Sequence, residues 1–313
     1  MNITFRQIRV FVEVARQGSV ARAAEALHLT APAVSLQIKE VESQVGQVLF
    51  DRAGRRMGLT TAGEYFLVYA KRLLATLKDA EDAMARFTRL ESGRLTIGMV
   101  SAATYFLPLL LAKFRAEYPA VDVRLRLGSR DQLGVMMQAN EVDLCIMGRA
   151  PRDLPTRAEP FAMHPHVLVV SPQHRFARAE AVPVAALASE PFIVREPESG
   201  TREALQGFFD SHHIQPTYVM EMPSNEAIKQ AVMAGMGISI LSLHTIALEW
   251  ANELIAAPAA EGLPLVRRWN VVNTAAKHLS PAAEAFRYFV LEHGEAHLAS
   301  MFGGEFGLGA RAG

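Results

Sequence analysis

The sequence predicts two structural parts, a helical N-terminal module that ends in one long helix and a larger C-terminal α/β body. Up to residue 90, apolar residues recur at three- and four-residue spacing, which is typical of amphipathic helices. From residue 94, short apolar runs alternate with helical segments, which predicts strands connected by helices. The length of 313 residues allows two or three folding units, at roughly 100–200 residues for each domain.

The composition is that of a folded protein with a core. Hydrophobic residues make up 50% and charged residues 20% of the chain, which excludes an intrinsically disordered protein. The one cysteine, Cys145, excludes an intramolecular disulfide framework and fits a reducing cytosol. Charged residues also interrupt any apolar signal-peptide core, so we expect a cytoplasmic protein. The uncharged residues 231–248 contain Gly235 and Gly237, which predict a helix, turn and strand and not a membrane span.

The net charge of zero hides an asymmetry along the chain. Residues 1–72 contain ten basic and six acidic side chains, a net charge of +4, and the remainder therefore carries −4. A basic module on a mildly acidic body indicates that one end meets a polyanion such as DNA. Ordinary scatter of surface charge is the alternative explanation.

Three short helices are predicted near the start, over residues 5–17, 20–27 and 31–45. Their ends are marked by residues that cap or stop helices, namely Gly18, Ser19, Thr30, Pro32 and Gly46. The tight turn before the third helix, with small and polar residues after it, is typical of a helix-turn-helix whose second helix enters the major groove of DNA. A purely structural three-helix bundle is the alternative.

Two short strands with a basic turn follow, over residues 49–60, and form a candidate wing. Guanidinium groups in such a turn reach the DNA backbone or the minor groove. The residues that we expect to contact DNA are Thr30, Ala31, Pro32, Ser35, Leu36, Gln37, Lys39, Arg52, Arg55 and Arg56.

A long helix is predicted over residues 62–90, about 43 Å at 1.5 Å per residue, with Thr61 and Glu64 as a capping box. Apolar residues then repeat at alternating steps of four and three, which is typical of a seam for a partner helix. We expect this dimer seam at Phe66, Leu73, Leu77 and Met84. A two-fold dimer gives a helix-turn-helix its second half-site, whereas packing of the stripe on the chain's own body is the alternative.

The strands and helices that follow predict a mainly parallel sheet in a first lobe. Further elements over residues 166–241 predict a second lobe, and a helix over residues 281–292 closes the body. Two lobes joined by crossing strands form a cleft, where ligands meet the carboxyl ends of strands.

Serine, threonine and arginine residues lie in loops at this predicted cleft. Ser101 and Thr104, for example, precede a helix predicted over residues 105–118, and helix starts hold anions through N–H groups and the dipole. The candidate effector-binding residues are Ser101, Thr104, Ser129, Arg130, Gly148, Arg149, Ser199, Thr201, Arg202 and Asn225. Arginine adds bidentate contacts to phosphate or carboxylate, although a solvated surface role is the alternative for any one of them.

Motifs of common catalytic and nucleotide-binding sites are absent from the sequence, including Gly-x-Gly-x-x-Gly, the phosphate-loop Gly-Lys-Ser/Thr, Gly-x-Ser-x-Gly and His-Glu-x-x-His. Cys145 is expected to be a small core residue. We therefore expect no enzyme, no metal and no cofactor.

Several stretches of the chain together carry a family resemblance. They include Ala23-Ala24-Glu25-Ala26-Leu27, Pro32-Ala33-Val34-Ser35, Leu59-Thr60-Thr61-Ala62-Gly63, Asn140-Glu141-Val142-Asp143, Ser199-Gly200-Thr201-Arg202 and Met236-Gly237-Ile238-Ser239-Ile240-Leu241-Ser242. The chain resembles the LysR-type transcriptional regulators over about residues 3–292. Ala31 and Leu36 depart from the polar residue and the arginine that this family often has there, so apolar contacts and DNA shape are expected to carry more of the specificity.

The resemblance implies a domain order. A winged helix-turn-helix spans residues 1–60, a linker and dimerisation helix 61–90, an effector domain similar to periplasmic binding proteins 91–298, and a flexible tail 299–313. Lobe I of the effector domain comprises residues 91–162 and 270–298, and lobe II comprises residues 163–269. The family also implies a dimer of dimers that grips pseudo-palindromic promoter DNA, acts with RNA polymerase and responds to a small anionic metabolite.

Within the family, residues 275–286 and 198–202 look most like activators of Calvin–Benson–Bassham carbon-fixation operons, whose effectors include phosphorylated compounds. A regulator of aromatic degradation or amino-acid metabolism remains an alternative. So do a solute-binding or enzymatic α/β protein whose head only oligomerises, and a non-specific architectural DNA protein.

Overall fold

The computed structural model describes residues 2–51, 57–85 and 93–301. These residues form two compact units, one built from the elements up to residue 85 and the other from the elements after residue 93. Within the described ranges, no helix is long and apolar enough to cross a membrane.

The N-terminal unit contains the three predicted helices, a small hairpin and the start of the long helix. Its elements are α1 (Phe5–Gln17), α2 (Val20–Ala26), α3 (Ala31–Val45), β1 (Phe50–Asp51), β2 (Gly58–Leu59) and α4 (Thr61–Ala85). The caps behave as predicted, because the hydroxyl oxygens of Ser19 and Thr30 accept backbone hydrogen bonds at the starts of α2 and α3. Gly18 and Gly46 end α1 and α3 with φ of 58° and 73°, which favours glycine.

The capping residue of α4 differs from the prediction by one position. The helix begins at Thr61, and the hydroxyl oxygen of Thr60 accepts from the backbone N–H of Gly63 at 3.0 Å, so Thr60 and not Thr61 is the cap. Gly63 packs directly on Leu49, the residue before β1. A Cβ atom there would lie 2.0 Å from the carbonyl oxygen of Leu49, so only glycine permits this approach.

The C-terminal unit alternates strands and helices as predicted. Its elements are β3 (Gly93–Met99), α5 (Leu107–Glu117), β4 (Val121–Leu127), α6 (Arg130–Gln138), β5 (Leu144–Met147), β6 (Thr156–Val169), β7 (Pro191–Arg195), α7 (Gly200–Ser211), β8 (Thr217–Met222), α8 (Asn225–Met233), β9 (Ser239–Ser242), α9 (Leu243–Ala251), β10 (Leu265–Thr274) and α10 (Pro281–Met301), with short 3-10 helices at Ser101–Tyr105 and Val184–Ser189.

The main sheet is mixed: the parallel arrangement predicted for the first lobe is found in β3, β4 and β5, and the sheet continues with antiparallel strands. Its strand order is β4-β3-β5-β10-β6-β9, and only the pairs of β3 with β4 and with β5 are parallel. The long strands β6 and β10 pair antiparallel from Thr156–Thr274 to His166–Leu265 and connect the two lobes. One of these strands passes from lobe I to lobe II and the other returns, so the strand pairs beyond β5 are antiparallel. Strands β7 and β8 form a separate parallel pair in lobe II.

Three helices of this unit differ from the prediction. The helix expected over residues 105–118 is divided into the 3-10 helix Ser101–Tyr105 and α5, so Thr104 lies inside the 3-10 helix and does not cap α5. Helix α9 follows β9 without having been predicted. Helix α10 continues to Met301, nine residues past the predicted end, and therefore includes the first residues of the predicted tail, whose residues 302–313 lie outside the described part.

Each lobe has its own apolar core. Aromatic rings of Phe106, Phe114 and Trp269 fill the centre of lobe I, and those of Phe192 and Phe209 fill lobe II. Separate cores allow the two lobes to keep their shapes while the connecting strands position the cleft between them.

Candidate functional site

The start of α3 presents a solvent-facing surface in the N-terminal unit. Its apolar stripe of Val34, Ile38 and Val41 is fully buried against α1 and α2, so the opposite face points outward. Of the predicted DNA-contacting residues, Thr30, Pro32, Leu36 and Lys39 are exposed, and Ala31, Ser35 and Gln37 are half-buried. The structure therefore brings all seven together around one helix start.

The two strands of the predicted wing form a hairpin. Strands β1 and β2 pair antiparallel, with Phe50 opposite Leu59. The Glu42 carboxylate on α3 accepts from the backbone N–H groups of Leu49 and Phe50, at 2.9 and 3.2 Å, and thereby ties the hairpin to α3. The basic turn with Arg52, Arg55 and Arg56 lies outside the described residues.

The predicted dimer seam on α4 is only partly available to a partner. The Phe66 ring packs edge-on against Phe11 at 4.9 Å, so Phe66 belongs to the core of its own unit. Leu73 is exposed and Leu77 is half-buried, whereas the Met84 side chain lies outside the described residues. Among the α4 side chains that the structure describes, the exposed large apolar ones are Tyr65, Val68, Tyr69 and Leu73, and we call them the α4 face.

The C-terminal unit contains a cavity of about 420 Å³ at the carboxyl ends of β3, β4, β5, β7 and β8. Seven of the ten predicted effector residues line it, namely Ser101, Ser129, Arg130, Gly148, Arg149, Ser199 and Thr201. The N-termini of α6 and α7 open onto this cavity through Arg130 and Gly200. Its position at strand ends and helix starts is the arrangement in which α/β proteins bind anionic ligands.

A cluster of arginines meets at Glu203, which the sequence analysis did not single out. The Glu203 carboxylate accepts from Arg130 at 3.2 Å, Arg149 at 2.9 Å and Arg152 at 3.0 Å, and it lies 3.5 Å from Arg267. Partial burial alone would raise the pKa of Glu203, but the four positive charges outweigh it and hold that pKa below its usual value. Arg267 comes from the crossing strand β10, far from the others in sequence, which is why the loop pattern could not reveal it.

Arg195 is a second cavity residue that sequence reasoning missed. It ends strand β7, is 5% exposed, and donates to Asn225 Oδ1 at 2.7 Å and to Ser101 Oγ at 3.3 Å. The Glu196 carboxylate takes two further hydrogen bonds from its guanidinium, at 2.7 and 2.6 Å. A charged residue at the last position of an apolar strand was the available signal.

Three predicted effector residues do not line the cavity. Thr104 donates its hydroxyl to the Ser101 carbonyl at 2.6 Å, and the buried Asn225 holds Arg195. Arg202 donates to the Arg195 carbonyl at 3.0 Å and lies over the Tyr218 ring at 4.3 Å. Arg202 and Asn225 are therefore placed to position Arg195, whereas Thr104 bonds within the 3-10 helix. The Nδ2 atom of Asn225 is buried and has no hydrogen-bond partner in the described chain.

Buried histidines form one wall of the cavity. His164 and His166 line it, and neither ring nitrogen of His164 has a hydrogen-bond partner within the described chain. Burial lowers the pKa of His166 to about 3 and that of His244, beside them, to about 4. These imidazoles are therefore neutral at pH 7, and the positive charge of the cavity comes from arginine.

Cys145 is fully buried, and burial raises the pKa of its thiol to about 12, as expected for a core residue. Among the residues that the structure describes, no group of three or more histidine, cysteine, aspartate or glutamate side chains is placed to hold a metal ion.

Comparison with known proteins agrees with both units. Residues 5–64 match the bacterial regulatory helix-turn-helix protein of the lysR family, and residues 88–295 match the LysR substrate binding domain. The HTH-type transcriptional regulator CfxR of Cupriavidus necator is 46% identical over 302 residues, which cover 96% of this chain and 95% of that protein. The RuBisCO operon transcriptional regulator of Allochromatium vinosum is 40% identical and covers 93% of this chain and 96% of its own.

A solved structure resembles the C-terminal unit. The regulatory domain of Synechocystis PCC6803 CcmR in complex with 2-PG superposes with a TM-score of 0.62 at 38% identity, over 64% of this chain and 96% of that one. Since the family models cover most of the sequence and full-length relatives exceed 30% identity, this chain belongs to the LysR family of transcriptional regulators.

Proposed function

We propose that this regulator controls a carbon-fixation operon in response to a small phosphorylated anion that binds in the arginine-lined cavity. The observation that carries the proposal is the convergence of Arg130, Arg149 and Arg267 on one cavity at helix starts. The relatives support the target, because one is named for the RuBisCO operon. The CcmR domain supports the effector class, since it was solved with 2-PG, 2-phosphoglycolate.

The N-terminal unit supplies the DNA contacts in this proposal. The exposed start of α3 enters the major groove with Leu36 and Gln37 near base edges and Lys39 on phosphate, and the wing arginines Arg55 and Arg56 reach the backbone or minor groove. The linker helix of residues 61–90 joins two copies through the α4 face and the further predicted seam residues Leu77 and Met84, and two such dimers assemble on one promoter.

The chain acts in the cytoplasm, where promoter DNA is, and contacts RNA polymerase there. It catalyses no reaction itself, and the effector acts by binding one conformation better than the other. An effector of aromatic or amino-acid metabolism is the second candidate, and the arginine cluster favours the phosphorylated class because planar guanidinium groups match phosphate.

Fluorescence anisotropy with the full chain tests this function. The labelled DNA is the promoter fragment upstream of RuBisCO genes from the same genome, and a shuffled fragment of equal length is the control. We expect tighter binding to the promoter and a change in affinity on addition of 2-phosphoglycolate, but not of glycolate, which lacks the phosphate. Equal binding to both fragments, or no response to any phosphorylated ligand, would contradict the proposal.

A further inference from the structure

The carboxylate of Glu203 occupies the point where the guanidinium groups of the cavity converge. One oxygen accepts from Arg149 and Arg152, and the other accepts from Arg130 and faces Arg267. Glu203 stands in the first turn of α7 in lobe II, whereas Arg130, Arg149 and Arg152 follow strands β4 and β5 of lobe I. The carboxylate is therefore both the counter-ion of the cluster and a connection between the lobes.

The four arginines would repel one another without the negative charge of Glu203 between them. Arg267 is largely buried, and its pKa is lowered by burial and by the nearby charge of Arg149, while Glu203 acts in the opposite direction. Three of the four arginines line the cavity, and Arg152 does not. An anion that enters from solution and uses these donors meets Glu203 at the same place.

The chemistry of the exchange depends on the charge of the entering group. A monocarboxylate brings the same charge and the same two oxygens as Glu203, and its binding also costs translational and rotational freedom. A phosphomonoester brings up to two negative charges and three acceptor oxygens, which form stronger charge-assisted hydrogen bonds with guanidinium groups. Replacement of Glu203 by a phosphomonoester therefore strengthens the binding at the arginines, whereas replacement by a monocarboxylate does not.

We propose that Glu203 is an internal competitor for the effector's anionic group, and that it sets an affinity threshold which a phosphomonoester passes and a monocarboxylate does not. This inference rests on the proposed function, since it assigns the regulation of the same cavity. Displacement of Glu203 also breaks the ion pairs between α7 and the lobe I arginines, so effector binding is coupled to the arrangement of the lobes.

Calorimetry of the full chain with 2-phosphoglycolate and with glycolate tests the inference. The variant is Glu203→Gln, and the matched control is Glu180→Gln, which removes an exposed carboxylate of lobe II that does not line the cavity. We expect Glu203→Gln to bind 2-phosphoglycolate about tenfold more tightly and to bind glycolate measurably, because no internal anion has to leave. The control is expected to change either affinity by less than about threefold, since only long-range charge is removed.

Each result decides one of the two proposals. If the wild type binds 2-phosphoglycolate and Glu203→Gln binds it equally or more weakly, Glu203 only holds the arginines in place and the inference is overturned. If neither protein binds any phosphorylated ligand, the proposed effector class itself fails. Circular dichroism checks folding, and if Glu203→Gln does not fold, Glu203→Asp decides: affinity above the wild type supports competition, and affinity at or below it overturns the inference.

Discussion

The imidazole ring of His164 stacks on the indole ring of Trp269, with ring centroids 3.9 Å apart and 18° between their planes. The indole N–H donates to His244 Nδ1 at 3.2 Å, and the ring of His166 lies 4.4 Å from that of His164. All three histidines are buried, so each is held neutral by desolvation. This cluster makes the stability of the C-terminal unit depend on pH.

We expect the free energy of unfolding to fall as the pH falls from 7 to 5. An unfolded histidine binds a proton near pH 6.5, whereas the folded pKa values of His166 and His244 are about 3 and 4, so the unfolded state binds more protons in this range. The loss amounts to about 2 kcal/mol for each buried histidine. Urea unfolding at several pH values measures it. His164→Leu should show a shallower pH dependence, and an unchanged dependence would contradict the prediction.

Removal of one partner from the buried Asp143–Lys277 pair should destabilise lobe I strongly. Asp143 accepts from Lys277 Nζ at 3.2 Å and from the backbone N–H of Thr96 at 2.7 Å, and both charged side chains are buried. Asp143→Asn leaves the buried Lys277 ammonium with the Val142 carbonyl but without a counter-ion, which costs about 3 kcal/mol. The control variant is Asp122→Asn, which removes the carboxylate of the exposed pair with Arg94. We expect it to lower the free energy of unfolding by less than about 1 kcal/mol in urea unfolding. Similar losses for both variants would refute this role.

A charge on the α4 face should weaken self-association. Leu73 is 47% exposed on α4, and Leu73→Asp places a carboxylate where the proposed partner helix packs. We expect the dimer dissociation constant to rise at least about tenfold, because an unpaired charge is buried in the interface. Sedimentation velocity measures the mass. Leu248→Asp, at an exposed leucine of the other unit, is the control, and equal masses for all three proteins would rule out this interface.

Lys39 and Leu36 should affect DNA binding in different ways. Lys39→Ala removes one proposed phosphate contact, so the slope of log affinity against log salt should become shallower by about 0.9 for promoter and shuffled DNA alike. Leu36→Ala should leave that slope unchanged and reduce the preference for the promoter about tenfold, because an apolar base contact is lost. Anisotropy titrations at several salt concentrations separate the two effects. A change of salt slope in Leu36→Ala, or none in Lys39→Ala, would show that the roles are assigned wrongly.

The sequence alone determined the local structure of the N-terminal unit and seven of the residues that line the cavity. Ser19, Thr30 and Gly46 mark helix ends because caps and left-handed glycines act through backbone groups only a few residues away. Loop residues such as Ser129 and Gly148 could be placed at the cavity because the carboxyl ends of parallel strands meet at one edge of a sheet.

Only the tertiary structure decided which charges meet and which apolar faces remain open. Glu203 and Arg130 lie 73 residues apart, and Phe66 turns toward Phe11 although its spacing also fits a dimer seam. The antiparallel half of the main sheet likewise depends on β6 and β10, which come from distant parts of the chain. The physical reason is that ion pairs, ring packing and strand partners are set by distances in space, and local spacing carries no information about the residue on the other side of a contact.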